Sequence, residues 1–220
     1  MNTSDAFVSG KLVDENGLPP LTAHHTVVTE GTFHGRHGFI CFQGDHAIDP
    51  DGTFVSPPLP PGKYFVRFFG ILQNVPASPP ESRARQNRLF DFIYPNAETV
   101  SQASPLQIQP GETVHSVFQV PSPAWFDIAG RITGNLPVSH ESLRVMFQRD
   151  IGVLQGIGGG GFSISADGSF EGMLLKGSYF VSLHEMAPPE PNGYTRSIRQ
   201  FGSTTVKIEH DTRDLEILLN

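Results

Sequence analysis

The sequence predicts an all-β chain folded as two tandem antiparallel β-sandwich domains, and three observations carry that expectation. The first is a repeat: Asp51 to Phe68, DGTFVSPPLPPGKYFVRF, comes round again as Asp167 to Leu183, DGSFEGMLLKGSYFVSL. Each copy has an Asp-Gly turn pair, a small hydroxyl residue, a Phe, a spacer with a Leu, and a Gly leading into Tyr-Phe-Val. The second is composition, with 23 glycines and 19 prolines beside 38% hydrophobic residues and 17 phenylalanines. That mixture suits many short strands joined by turns rather than a disordered chain. The third is length: 220 residues accommodate two domains of about 100, close to the commonest domain size.

Taken in order, Ala6 to Val13, AFVSGKLV, alternates as a first strand, and Asp14 to Gly17 supplies turn residues that tolerate positive φ. Its counterpart is Trp125 to Thr133, WFDIAGRIT. Both hold a mid-strand glycine, Gly10 and Gly130, which marks a bulge or a close backbone approach. Ala23 to Glu30 reads as a strand, followed by a link rich in Gly and His and a short apolar run, Gly38 to Phe42. In the second half Leu143 to Gln148 alternates Leu143, Val145 and Phe147 with Arg144, Met146 and Gln148, as a half-buried strand does.

In the repeated hairpin Tyr64, Val66 and Phe68 share one face, matched by Tyr179, Val181 and Leu183, so that face is assigned to the core. The other face carries Phe65, Arg67 and Phe69 in one copy and Phe180, Ser182 and His184 in the other. Prolines at 57, 58, 60 and 61 exclude the first spacer from a central strand. Each half closes with two alternating strands around a turn, Pro105 to Val120 and Thr204 to Leu219. A sandwich needs about seven strands in about 100 residues, and both halves supply them. The boundary is expected at Pro121-Ser122-Pro123, giving domains 1–122 and 123–220. The first includes a long loop at about 71–92 with three arginines and a closing aromatic run, Phe90, Phe92 and Tyr94.

The motifs together resemble the carboxypeptidase regulatory-like domain. They are Ser9-Gly10-Lys11-Leu12-Val13, Asp51-Gly52-Thr53-Phe54, Leu59-Pro60-Pro61-Gly62-Lys63-Tyr64-Phe65-Val66, and a second copy at Ala129-Gly130-Arg131-Ile132 and Asp167-Gly168-Ser169-Phe170. The copy departs from the pattern at Leu175-Lys176, where the prolines are lost. The resemblance implies immunoglobulin-like or prealbumin-like sandwiches that serve as accessory modules of large extracytoplasmic bacterial proteins. Partners would be other domains of such a protein or cell-surface components, and polysaccharide in the members described as carbohydrate-binding. The lysine-asparagine crosslink of some related surface sandwiches is not expected, since the first half has Lys11 without a matching Asn and the second has Arg131 in place of the Lys.

No catalytic constellation is legible, so a non-catalytic role is expected, with no cofactor. A zinc peptidase would need two histidines and a glutamate around an open position, but the sequence contains neither His-x-x-Glu nor His-Glu-x-x-His. His24, His25, His34, His37 and His46 cluster in the chain with Cys41 and Asp45, and the candidate metal ligands among them are His34, His37 and His46. Gly156 to Gly161 formally contains GxGxxG, but Phe162 to Ser165 alternates as a strand, so no helix follows to hold a pyrophosphate. Asp49-Pro50-Asp51-Gly52 lacks the ligand series of a calcium loop and reads as a hairpin turn. The candidate ligand-binding aromatics are Phe65, Phe69, Trp125 and Phe180, which either stack on a ligand or pack against a neighbouring domain.

The net charge is -7, and the acidic excess is shared, 7 basic against 11 acidic residues before Ser122 and 8 against 11 after it. Neither half is a nucleic-acid footprint. One cysteine, Cys41, makes no internal disulfide. The chain has no run of about 18 apolar residues and no export signal at its start, so a soluble chain with no membrane insertion is expected.

Overall fold

The computed structural model describes residues 5–72, 89–134, 142–154, 160–188 and 195–218. Its regular elements are strands with a single 3-10 turn, Val100–Gln102. Among the described residues no helix is long and apolar enough to cross a membrane. The chain divides into two compact units, residues 1–123 with 151–155, and residues 124–150 with 156–220.

The first unit contains β1 (Phe7–Val13), β2 (Thr22–Phe33), β3 (Arg36–Ala47), β4 (Thr53–Val55), β5 (Gly62–Ile71), β6 (Leu89–Ile93), β7 (Leu106–Ile108) and β8 (Thr113–Gln119). One sheet has the order β4-β1-β8 and the other β3-β2-β5-β6, with β7 sharing the β6 edge of β5. Alternation packs the two sheets together: Val8, Leu12, Phe54 and Phe118 from one meet Val27, Tyr64, Val66, Phe68 and Phe92 from the other in one core. The second unit contains β9 (Trp125–Thr133), β10 (Leu143–Arg149), β11 (Gly160–Ser163), β12 (Ser169–Leu175), β13 (Gly177–Met186), β14 (Ser197–Ile208) and β15 (Thr212–Leu218). Its sheets run β12-β9-β15 and β11-β10-β13-β14. Ile128, Ile132, Phe170 and Ile217 from the first meet Leu143, Val145, Phe147, Tyr179, Val181 and Leu183 from the second.

The repeated residues do the same structural work in both units. Asp51 Oδ1 accepts the Thr53 backbone N–H at 2.9 Å and its hydroxyl at 2.6 Å, and Asp167 Oδ1 accepts those of Ser169 at 3.1 and 2.6 Å. These bonds hold both carboxyls below the usual carboxylate range. The following glycines take φ of 87° and 83°, a conformation that L side chains resist. The acidic tetrapeptide at 49–52 is therefore a turn, as its sequence predicts. Tyr64 donates its hydroxyl proton to the Pro60 carbonyl at 2.8 Å, and Tyr179 does so to Leu175 at 2.7 Å. The mid-strand glycines admit a close approach of the last strand: a Cβ at Gly10 would lie 1.9 Å from the Ser116 carbonyl oxygen, and one at Gly130 2.3 Å from that of Leu215.

Three features depart from the sequence reading. The first strand of each unit pairs parallel with the last, β1 with β8 and β9 with β15, within sandwiches whose other pairs are antiparallel. Side-chain alternation marks a strand but is the same in either pairing direction. The link expected between Glu30 and Gly38 is mostly strand, since β2 and β3 continue in register to Phe33 and Arg36 around His34-Gly35. Their pairing is interrupted nearer the other end by Gln43-Gly44, both at positive φ. Of the loop expected at about 71–92, residues 73–88 lie outside those described, while β5 runs to Ile71 and β6 occupies Leu89–Ile93.

Candidate binding face on the second unit

The outward side chains of the repeated hairpin strand differ between the units. On β5 the outer residues are closed off. Phe65 is 9% exposed and meets Phe39 edge-on, centroids 5.4 Å apart. Arg67, 4% exposed, donates two hydrogen bonds to Asp91 at 2.8 and 3.0 Å, and its guanidinium lies 4.3 Å from the Phe69 ring centroid. Phe69 is also stacked on His24, centroids 5.3 Å apart. The expected platform of Phe65 and Phe69 is thus not an open surface: one ring is buried and the other is engaged by Arg67 and His24.

On β13 the equivalent face is open. Phe180 is 47% exposed. Strand pairing places it between Gln148 of β10 and Thr205 of β14, Ser182 between Met146 and Ser203, and His184 between Arg144 and Gln200. Directly paired residues project to the same face, so these rows set an aromatic ring among amides, hydroxyls and a guanidinium. His184 Nε2 lies 2.8 Å from the Ser182 hydroxyl and Nδ1 2.7 Å from that of Ser197. Burial lowers the His184 pKa, so the ring is neutral at neutral pH.

A serine hydrogen-bonded to a neutral histidine that a third group orients has the spacing of a nucleophile and base. An acyl-transfer site also needs N–H donors at the developing oxyanion. β13 is a central strand paired on both sides, so its ladder engages the N–H groups of the nucleophile's own strand. The arrangement therefore fixes the ring and hydroxyls of a polar surface. The sequence reading missed Ser182, His184 and Ser197 as a connected group because Ser197 reaches it only through the β13–β14 pairing.

Trp125 is half-buried at the start of β9, opposite Leu175, and its indole N–H is buried without a hydrogen-bond partner among the described residues. The three histidines proposed as metal ligands are not brought together. His34 sits at the β2–β3 turn and His37 opposite Thr32, while His46 lies nine residues beyond His37 along β3, about 30 Å at strand rise. Among the described residues there is no group of three His, Cys, Asp or Glu placed to hold a metal ion.

His46 instead faces His25, ring centroids 5.6 Å apart. His25 is 1% exposed, points into the core beside Phe54, and has no partner for either ring nitrogen among the described residues. Burial first, then His46 and His24, push its pKa down to about 4. The second unit also has an open groove of about 1050 Å³ whose walls include Arg131, Ser163, Glu171, Arg213 and Glu216, with Arg131 paired to Asp167 at 3.3 Å.

No family model and no curated protein sequence matches the chain. Solved structures align with it at low identity and low TM-score. The minor pilin from the Gram-positive pathogen Streptococcus agalactiae matches over 98% of this chain and 96% of its own, at 12% identity and a TM-score of 0.38. The Bacillus anthracis TIE protein matches over 98% of this chain at 12% identity and a TM-score of 0.28, and a leucine-rich repeat protein from Bacteroides thetaiotaomicron over 98% at 12% and 0.30. The chain spans 34% and 26% of the length of those two structures.

Proposed function

We propose that the chain is a pair of carboxypeptidase regulatory-like β-sandwich modules, acting as a non-catalytic structural and interaction unit of an extracytoplasmic bacterial protein. The observation that carries the reading is the recurrence of matched structural roles: Asp51 and Asp167, Tyr64 and Tyr179, and Gly10 and Gly130 serve turn, hairpin and strand packing alike in both units. The repeated polar residues are thus accounted for by the fold. What differs between the copies is the outward face of the hairpin strand, open on the second unit around Phe180. An exposed apolar ring within a polar surface suits contact with another domain or a cell-surface component. The extracytoplasmic setting rests on the motif resemblance.

A second reading, a carbohydrate-binding module, is favoured by the same ring: Gln148, Ser182 and Thr205 stand beside it as hydrogen-bonding groups for a sugar stacked on Phe180. Two assays on the intact chain test these readings. Turnover of peptide, ester or glycoside substrates that disappears with Ser182→Ala overturns the non-catalytic reading. Retention on a glycan array that disappears with Phe180→Ala selects the carbohydrate reading; retention by no glycan removes it.

A further inference from the structure

Of the strands that end a sheet, β14 is unlike the rest. β4 and β11 are three and four residues long, β12 carries Glu171 and β15 carries Asp214 and Glu216. β3 takes a bridge from Val153 at Phe39, and β8 is seven residues with no Asp, Glu, Lys or Arg. β14 runs twelve residues, pairs with β13 alone among the described strands, and is exposed along most of its length, with Ile198 55% exposed. Short length on β4, β6 and β11, acids on β12 and β15 and a bridge on β3 keep those edges from recruiting a further strand, while β8 has none of these and differs from β14 in being five residues shorter.

Along the edge, Gly202 at φ 53° interrupts the pairing with β13. That leaves Ser203–Ile208, STTVKI, as an unbroken stretch opposite Gly177–Ser182. Between Thr195 and Ile208 the charged residues are Arg196, Arg199 and Lys207, all basic, in a chain whose net charge is -7.

We propose that β14 is a docking edge that adds an extended, acidic peptide segment of a partner protein as a further strand. The unpaired N–H and C=O groups along Ser203–Ile208 supply the backbone bonds. Arg196 and Arg199 select acidic over basic sequence, while Lys207 is already paired with Glu209 at 2.8 Å. The site goes beyond the Phe180 face, since it uses the sheet's edge rather than its surface, and its failure leaves the reading of that face standing.

The test uses the intact chain and two capped peptides, one alternating Glu with Val and Thr, the other with Lys for each Glu. Fluorescence anisotropy should show the acidic peptide bound at least about tenfold more tightly than the basic one, with salt weakening it. Successive strand residues alternate which edge their N–H serves. Of Thr204→Pro and Thr205→Pro, one should therefore break the β13 ladder, while the other keeps the wild-type melting temperature and loses the peptide. Equal binding of the two peptides, no binding of either, or wild-type peptide binding by every folded proline variant overturns the proposal. If both proline variants unfold, the exposed double substitution Arg196→Glu, Arg199→Glu decides: an inverted preference supports the edge, an unchanged one overturns it.

Discussion

Replacing His25 by leucine should remove most of the acid sensitivity of the first unit. In the folded unit His25 takes its proton near pH 4, against 6.5 for the unperturbed imidazole. Between those values the unfolded chain binds more protons than the folded one, so stability rises with pH across the window and is lost as pH falls through it. At about 1.4 kcal/mol per pH unit, the separation amounts to about 3 kcal/mol, a large part of the 5–15 kcal/mol typical of a domain. The groups around the ring set the direction: His46 from β3 and His24 on β2 add positive charge when protonated, and Phe54 gives no compensating hydrogen bond. Leucine also removes two buried nitrogens that have no partner among the described residues, so at neutral pH the variant should be at least as stable as wild type. Hydrogen exchange followed by mass spectrometry, reading β2 and β5 against β10 and β13, isolates the first unit. Wild type should lose about 3 kcal/mol of protection in β2 and β5 between about pH 7 and 4, and the variant well under half of that. Equal acid sensitivity in the two chains would refute the reasoning.

Two further substitutions test the packing. Gly10→Ala sets a methyl 1.9 Å from the Ser116 oxygen, so β1 must move off β8; thermal unfolding should show a loss of about 3 kcal/mol, and an unchanged midpoint contradicts the assigned close approach. Arg67→Met leaves Asp91 without its bidentate partner and should cost about 3 kcal/mol in urea unfolding. Adding Asp91→Leu should recover much of it, because the carboxylate that Arg67 neutralised is then gone; a double variant as unstable as the single one counts against the pair.

Most strands were legible because their two-residue period shows in a single sequence, and the hairpin's core face was legible because Tyr-Phe-Val occurs twice. The difference between Phe65 and Phe180 was not. Both follow a Gly-x-Tyr, and the exposure of each depends on residues far along the chain, Phe39 beside one and the open row of Gln148 and Thr205 beside the other. His24 and His25 illustrate the same limit: adjacent strand residues point to opposite faces, so one stacks on Phe69 while the other enters the core. His34, His37 and His46, neighbours in the sequence, are not brought together among the described residues because β2 and β3 spread them along a hairpin.

The central claim is that the second unit's open face, and not the corresponding face of the first, carries binding. Its most direct test is the affinity of wild type, Phe180→Ala and Phe69→Ala for the same immobilised envelope polysaccharides and surface proteins. The account predicts that Phe180→Ala weakens retention by at least about tenfold, equivalent to about 1.4 kcal/mol, while Phe69→Ala binds as wild type. Retention that survives Phe180→Ala and falls with Phe69→Ala would contradict it.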